Sequence, residues 1–320
     1  MKSILIAAIA LAAAGGALAQ GSYPTRPVTM VVGFAPGGGT DAVARIVAKN
    51  LGESLGQQVL VENKSGAGGN IATDYVARAA PDGHTILLGS VGSLSVAPHV
   101  IANLPYDPLR DFAPITMAVV FANVLVVQPT LPIQSLADFV KLAKDKPGSV
   151  TYGSSGILGA GHLAGELLKI RANIDMIHVP YKGGGPAMQD MLGGQVMSIF
   201  ATPVSAGGQI KAGKVRAIVT TGPKRAALLP DVPTVAESGY PGYEAMNWYA
   251  YVAPAKTPKE IVERLNRELV KALNNPEAAA LLHQQGLEPS PSSAAELARY
   301  MEREYETWGK VVKQAGIKAQ

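Results

Sequence analysis

The candidate chemistry lies in three glycine-rich stretches. Phe34 to Asp41 reads FAPGGGTD, Gly153 to Gly161 reads GSSGILGAG, and Lys182 to Gly185 reads KGGG. Each follows an apolar run and precedes a helical pattern. A helix N-terminus leaves backbone N–H groups unpaired and carries partial positive charge. Glycine lets a ligand oxygen approach that backbone closely. The combination makes an anion site without a cationic side chain. One such loop is explained as well by a tight turn. Three, with at least one in each half of the chain, point to anion capture.

The spacing argues against phosphate. Gly37, Gly38 and Gly39 make a poor G-x-G-x-x-G dinucleotide fingerprint: Ala42 stands at its third glycine, Gly38-Gly39 fill the wrong slots, and the Ala-tolerant form that could be forced here is weak alone. Gly208 to Lys214 (GQIKAGK) imitates a P-loop, but Val215 replaces the Ser or Thr that would hold Mg²⁺, and QIKAG reads as a surface turn. A small carboxylate suits the loops better. No catalyst emerges beside them. Ser154 and Ser155 lie close to His162 in sequence, yet Gly153-Ser154-Ser155-Gly156 has the wrong spacing for a nucleophile elbow. His162 and Glu166 share a helix face as half a metal site, with no second His at ligand spacing. His162 then orients its loop, contacts ligand, or packs. Thr40 or Asp41 serves as the N-cap of the first helix, which accounts for the Asp41 carboxylate without a base. Neither a cofactor nor a metal is expected.

Alternating strands and helices must position these loops. VTMVV enters the first glycine loop. Val43, Ile46, Val47, Leu51 and Leu55 then recur at helical spacing. VLVEN, a glycine turn, a helix and HTILLGS follow, the last ending in a small-residue loop. VVFANVLVVQP is a long extended run, after which the pattern restarts with a helix capped by Ser135. The second unit places Gly153–Gly161 and Lys182–Gly185 after strands, with Pro186 in the next helix's first turn. YEAMNWYAYVAPAK is a second extended run. It leads to an amphipathic helix carrying Ile261, Leu265, Leu269 and Leu273, and to a closing helix, with no further strand. Two α/β units joined by two crossings make a hinged clamshell with its ligand between the lobes. One continuous sheet without a hinge is the alternative. The expected division is a leader over 1–19, a first lobe over 20–122 and 248–320, and a second lobe over 123–247.

The leader is read from Lys2, the apolar run Ile4–Ala14 and the small-residue site Ala17-Leu18-Ala19, with cleavage after Ala19. With no Cys in 320 residues, no disulfide supports the fold and no lipid attaches at that terminus. The formal charge of +4, about +3 without Lys2, comes with no basic run, so there is no nucleic-acid footprint.

YPTRPVTMVVGFAPGGGTDAVARIVA, LPYDPLRDFAPI, YGSSGILGAGHLAGELL, VPYKGGGPAMQDMLGGQV and WYAYVAPAKTPKEIVERLN together resemble the substrate receptors of tripartite tricarboxylate transporters, the Bug (Bordetella uptake gene) type. The resemblance runs along the whole chain after the leader. It implies a periplasmic solute-binding protein of the two-domain Venus-flytrap, type II-like fold, acting as a monomer and passing substrate to a large and a small permease subunit. It implies two loops that pincer one carboxylate of the ligand. The first is Phe34, Ala35, Pro36, Gly37, Gly38, Gly39, Thr40 and Asp41. The second is Ser154, Ser155, Gly156, Gly159 and His162. The far end of the ligand falls to Ser90, Val91, Ser93, Lys182, Ala201 and Thr202. GSVGSLSVAP and FATPVSA depart from the common family pattern, so the ligand cannot be copied from a relative. Di- or tricarboxylates, aromatic carboxylates and acidic amino acids are the candidates, and Val91 and Leu94 suggest an apolar body. An extracytoplasmic enzyme or a sensor-accessory protein for the same acids is the alternative role.

Overall fold

The apolar run Val28–Val32 forms β1, an interior strand next to the edge of a sheet and almost fully buried, as a parallel strand covered on both faces must be. A computed structural model describes residues 23–315; the leader read over 1–19 lies outside them. β1 pairs in parallel with β2 (Val59–Asn63) on one side and β3 (Thr85–Ser90) on the other. Beyond β3 the six-stranded sheet continues antiparallel through β10 (Met246–Pro254), β4 (Phe112–Ala122) and β11 (Glu288–Pro289). β11 corrects the expectation that the C-terminal region adds no strand. Two residues carry no periodicity to read, and β4 supplies the edge they pair with.

The second sheet has five strands in the order β7 (Ile177–Pro180), β6 (Thr151–Ser154), β8 (Ser198–Ala201), β5 (Val124–Val127) and β9 (Arg216–Thr220). Each sheet has its own core. Val43, Val47, Leu51, Leu265 and Leu269 bury the apolar stripes of α1 (Gly39–Leu55) and α7 (Lys259–Leu273) against the first sheet. Phe139, Tyr152, Leu168 and Tyr243 fill the second around α3 (Leu136–Asp145) and α4 (Ala160–Ala172). The Ser135 cap of α3 is a full capping box with Asp138. α2 (Asn70–Ala77), α8 (Pro276–Gln284) and α9 (Ala294–Ala315) complete the first lobe. α9 is fastened by Glu304, whose Oε2 accepts the indole N–H groups of Trp248 (2.9 Å) and Trp308 (3.2 Å).

The chain passes between sheets twice. Asn123 alone separates β4 from β5, and Thr221 to Ala245 leads from β9 back to β10. Met246 and Asn247, given to the second lobe by the sequence, pair with Ala122 and Phe121 in the first sheet. One side chain joins the two crossings. The Thr221 hydroxyl accepts the Asn123 N–H (2.9 Å) and donates to the Ala245 carbonyl (2.8 Å). The Thr221 backbone bonds the same two residues.

Two stretches are helical against expectation, the first read as a small-residue loop and the second as the end of a strand (QVMSIFATPVSAG) and a surface turn. After β3, Gly92–Val96 and Ala97–His99 form short helical turns, which bury Val91, Leu94 and Val96 in the core. After β8, Pro203–Lys211 is α6, nucleated by Thr202, whose hydroxyl accepts the Ser205 N–H. Its two glycines and weak apolar pattern hide it in the sequence, and QIKAG, read as a surface turn, is largely its last turn.

Candidate functional site

Helix starts govern the cleft between the sheets. The N-cap of α1 is Gly38, in extended conformation and without a side-chain cap, so neither Thr40 nor Asp41 caps this helix. The Asp41 carboxylate turns away from the cleft. It accepts the Gly37 N–H (3.1 Å), the Arg45 guanidinium (3.0 Å) and the Asn63 amide (3.0 Å). Burial pushes its pKa up, but those donors outweigh burial and hold it below the ordinary aspartate value. The loop is thus braced from behind and its foremost N–H groups stay open. Gly39 is required by contact, since a Cβ there would stand 2.7 Å from the Tyr249 hydroxyl.

α4 begins at Gly159, also without a side-chain cap. Its loop is braced by neutral groups. His162 Nδ1 accepts the Leu158 N–H (3.1 Å), and its ring stacks on His178 with centroids 4.1 Å apart. Ser154 Oγ lies 2.7 Å from His178 Nε2 and accepts the Gly156 N–H (3.2 Å). Burial first, then neighbouring His162 and Lys169, push His178 down to about 3. Burial likewise lowers His162. Both rings are neutral at ordinary pH, and Ser154 serves as a loop brace.

α5 (Gly184–Leu192) starts after Gly183, so Gly184 and Gly185 belong to the helix rather than to a loop. Here the lobes touch through backbone, with the Ala35 N–H donating to the Lys182 carbonyl at 2.9 Å. At a second contact, Gly68 in the left-handed region (φ 66°) lies so close to Ile157 that a Cβ would meet its carbonyl oxygen at 2.1 Å. Between these contacts lies a cavity of about 20 Å³, lined by the starts of α1, α4, α5 and α6. That is room for about one water molecule. The conformation is closed, and the lobes must part to admit a larger molecule.

Of the residues singled out from the sequence, the structure brings Phe34, Gly38, Gly39, Thr40, Ser90, Ser155, Gly159 and Thr202 together on this cavity. The others stand behind or beside it. Ala35, Pro36 and Gly37 shape the turn and the lobe contact, while Asp41, Ser154, Gly156 and His162 brace the loops. Val91, Leu94 and Ala201 are buried in the packing, which removes the apolar-body argument. Ser93 is buried too, its carbonyl accepting the Tyr106 hydroxyl (2.8 Å). Lys182 borders a separate interlobe cavity of about 170 Å³ with Gly33, Phe34, Gly68 and Ile157. Ala160 and Gly184, inside two of the glycine-rich stretches, also line the cleft, as do Asn247 and Tyr249, which sequence reasoning missed. A polar Asn in the apolar run MNWYAYV, with Tyr two residues on, was the available signal.

Two α/β lobes, two crossings and an interlobe site of helix starts define a periplasmic binding protein of the clamshell type. The model of the family described as "Tripartite tricarboxylate transporter family receptor" matches residues 43–317, and the chain belongs to that family. It is similar to protein BugT of Bordetella pertussis, 36% identical over 97% of this chain and 95% of that one. Among solved structures it is similar to the periplasmic binding protein BugD (38% identity, TM-score 0.90, 93% of this chain and 100% of that one). It also resembles Rpa4515 of R. palustris, solved with adipate (38% identity, TM-score 0.89, 92% of this chain and 99% of that one). The protein is therefore a Bug-type solute-binding receptor of the periplasm and not an enzyme.

Proposed function

We propose that this receptor captures a small organic acid by its carboxylate and delivers it to the large and small permease subunits of a tripartite tricarboxylate-type transporter. One observation carries the reading. Four helix starts from both lobes line one cavity, and none of its lining residues carries a charged side chain. Backbone N–H groups and helix dipoles are then the source of anion affinity. Charge-assisted hydrogen bonds contribute roughly 1.5–3 kcal/mol each, so a few are enough for micromolar binding after the association cost. The adipate held by Rpa4515 supports a carboxylate as the class of ligand.

In this reading residues 23–122 and 246–315 act as one lobe and 123–245 as the other, in a monomer released from its leader at Ala19. A thermal-shift screen of carboxylates and phosphorylated compounds tests the class. A carboxylate at 100 times its Kd should add about 2.7 kcal/mol to stability. Stabilisation by phosphorylated compounds alone would refute the carboxylate reading.

A further inference from the structure

Closure leaves an unmet polar demand at the crossing itself. Asn123 alone separates β4 from β5, and its backbone is fully engaged, the N–H by the Thr221 hydroxyl (2.9 Å) and the carbonyl by the Thr221 N–H (3.0 Å). Its side chain is not. Neither Asn123 Oδ1 nor Asn123 Nδ2 has a hydrogen-bond partner, and the residue is 0% exposed. None of its surface borders space that a water molecule could enter, so water does not complete the bonding in this conformation. A side-chain amide carries two donors and an acceptor oxygen. Leaving such a group unpaired in the interior opposes the conformation that buries it.

The strand registers place this amide under the ligand cleft. Phe121, two residues before Asn123, pairs with Asn247 and packs edge-on to Tyr249, with ring centroids 5.1 Å apart. Val124, the next residue after Asn123, pairs with Ala201, and one step further along that antiparallel register sets Asn123 against Thr202. Asn247, Tyr249 and Thr202 all line the cavity between the lobes, the first two from one lobe and the third from the other. Asn123 therefore lies at the base of the cleft, where the two walls meet, without lining the cavity itself.

Parting the lobes opens that base to water, which can then bond both amide atoms. The backbone bonds to Thr221 can persist, because none of them uses the Asn123 side chain. The open form is relieved of a cost that the closed form carries. Ligand binding must offset that cost, and apparent affinity falls with the fraction of receptor that is closed beforehand. We infer that the Asn123 side chain holds the empty receptor open and so sets its affinity without touching the ligand. It is a positioning residue that acts on the lobes, and its effect does not depend on which anion is captured.

Small-angle scattering of the full receptor without ligand tests the inference in the wild type, in Asn123→Leu and in Asn123→Ala. The wild type should be more extended than the closed structure, and both variants more compact than the wild type. Titration calorimetry with succinate and with adipate should show the variants binding about 10-fold more tightly, by the same factor for each acid. A merely structural role would change the melting temperature and leave the ligand-free dimensions alone. If Asn123→Leu does not fold, Asn123→Ala decides. A wild type already closed without ligand overturns the inference. Unchanged dimensions in the variants overturn it as well, the result expected if the amide is buried or paired alike in both forms. Gains that differ between the two acids would put Asn123 in contact with ligand and also overturn it. If neither acid binds, the scattering alone decides.

Discussion

The two jaws of the cleft present the same surface by opposite means. In the first lobe the glycine loop before α1 is braced by charge, with Asp41 gripping the Gly37 N–H, Arg45 and Asn63. In the second lobe the loop before α4 is braced by neutral contacts among Ser154, His162 and stacked His178. Both leave helix N–H groups facing the cavity. An anion site thus needs a rigid backbone more than any particular side chain, and the bracing decides how each jaw responds to its surroundings.

The largest expected effect comes from filling the gap that both jaws share. Gly39→Val drives a side chain into Tyr249 and displaces the first helix start, so affinity for the best carboxylate should drop at least about 100-fold, the worth of one or two charge-assisted hydrogen bonds. Calorimetry on a variant with wild-type circular dichroism measures this, and a loss under threefold would detach the first jaw from binding.

Acid should separate the jaws next. His178 has a folded pKa near 3, against 6.5 when unfolded. Between those values the unfolded chain binds a proton that the folded chain excludes, so stability falls as pH drops from about 6.5 towards 3. The slope approaches about 1.4 kcal/mol per pH unit, or about 2 kcal/mol lost by pH 5. Asp41, lowered below 3.8, contributes stability that is present above 3.8 and is lost only in stronger acid, as pH falls through its folded value. Urea midpoints at pH 7 and pH 5 should therefore differ in the wild type and differ less in His178→Phe. An identical pH response in the two proteins would remove the second-jaw brace from the comparison.

Asp41→Asn removes the charge from the first brace while keeping its shape. The expected cost is about 1–2 kcal/mol at pH 7, read from the urea midpoint, because Arg45 is half exposed and regains water. The smallest effect sharpens the contrast by touching neither jaw. Ser135→Ala breaks the capping box of α3 and should cost about 1 kcal/mol of stability with ligand affinity unchanged.

The sequence exposed what is local. The loop at Phe34–Asp41, the stripe on α7, the Ser135 cap and both extended crossings follow from periodicity and turn chemistry over a few neighbours. It concealed what is assembled at a distance. Asp41 reads as an N-cap until Asn63, 22 residues away, is brought against it. α6 depends on Thr202 and on packing rather than on an apolar stripe. Asn247 and Tyr249 reach the cleft because β10 leaves the crossing with that face turned inward, a matter of sheet geometry that no local pattern encodes. His178 lies on an edge strand with an ordinary pattern, and its role depends on a stacking partner sixteen positions earlier.

The Thr221 hydroxyl ties the outgoing segment to the returning one at a single oxygen. Two straps running separately between the lobes would allow shear, roll and twist in any combination. Two straps pinned at one point give the molecule a common fulcrum at Asn123, Thr221 and Ala245. Asn123 and Ala245 are held to Thr221 by backbone as well as by its hydroxyl, so the two straps cannot slide past each other where they cross.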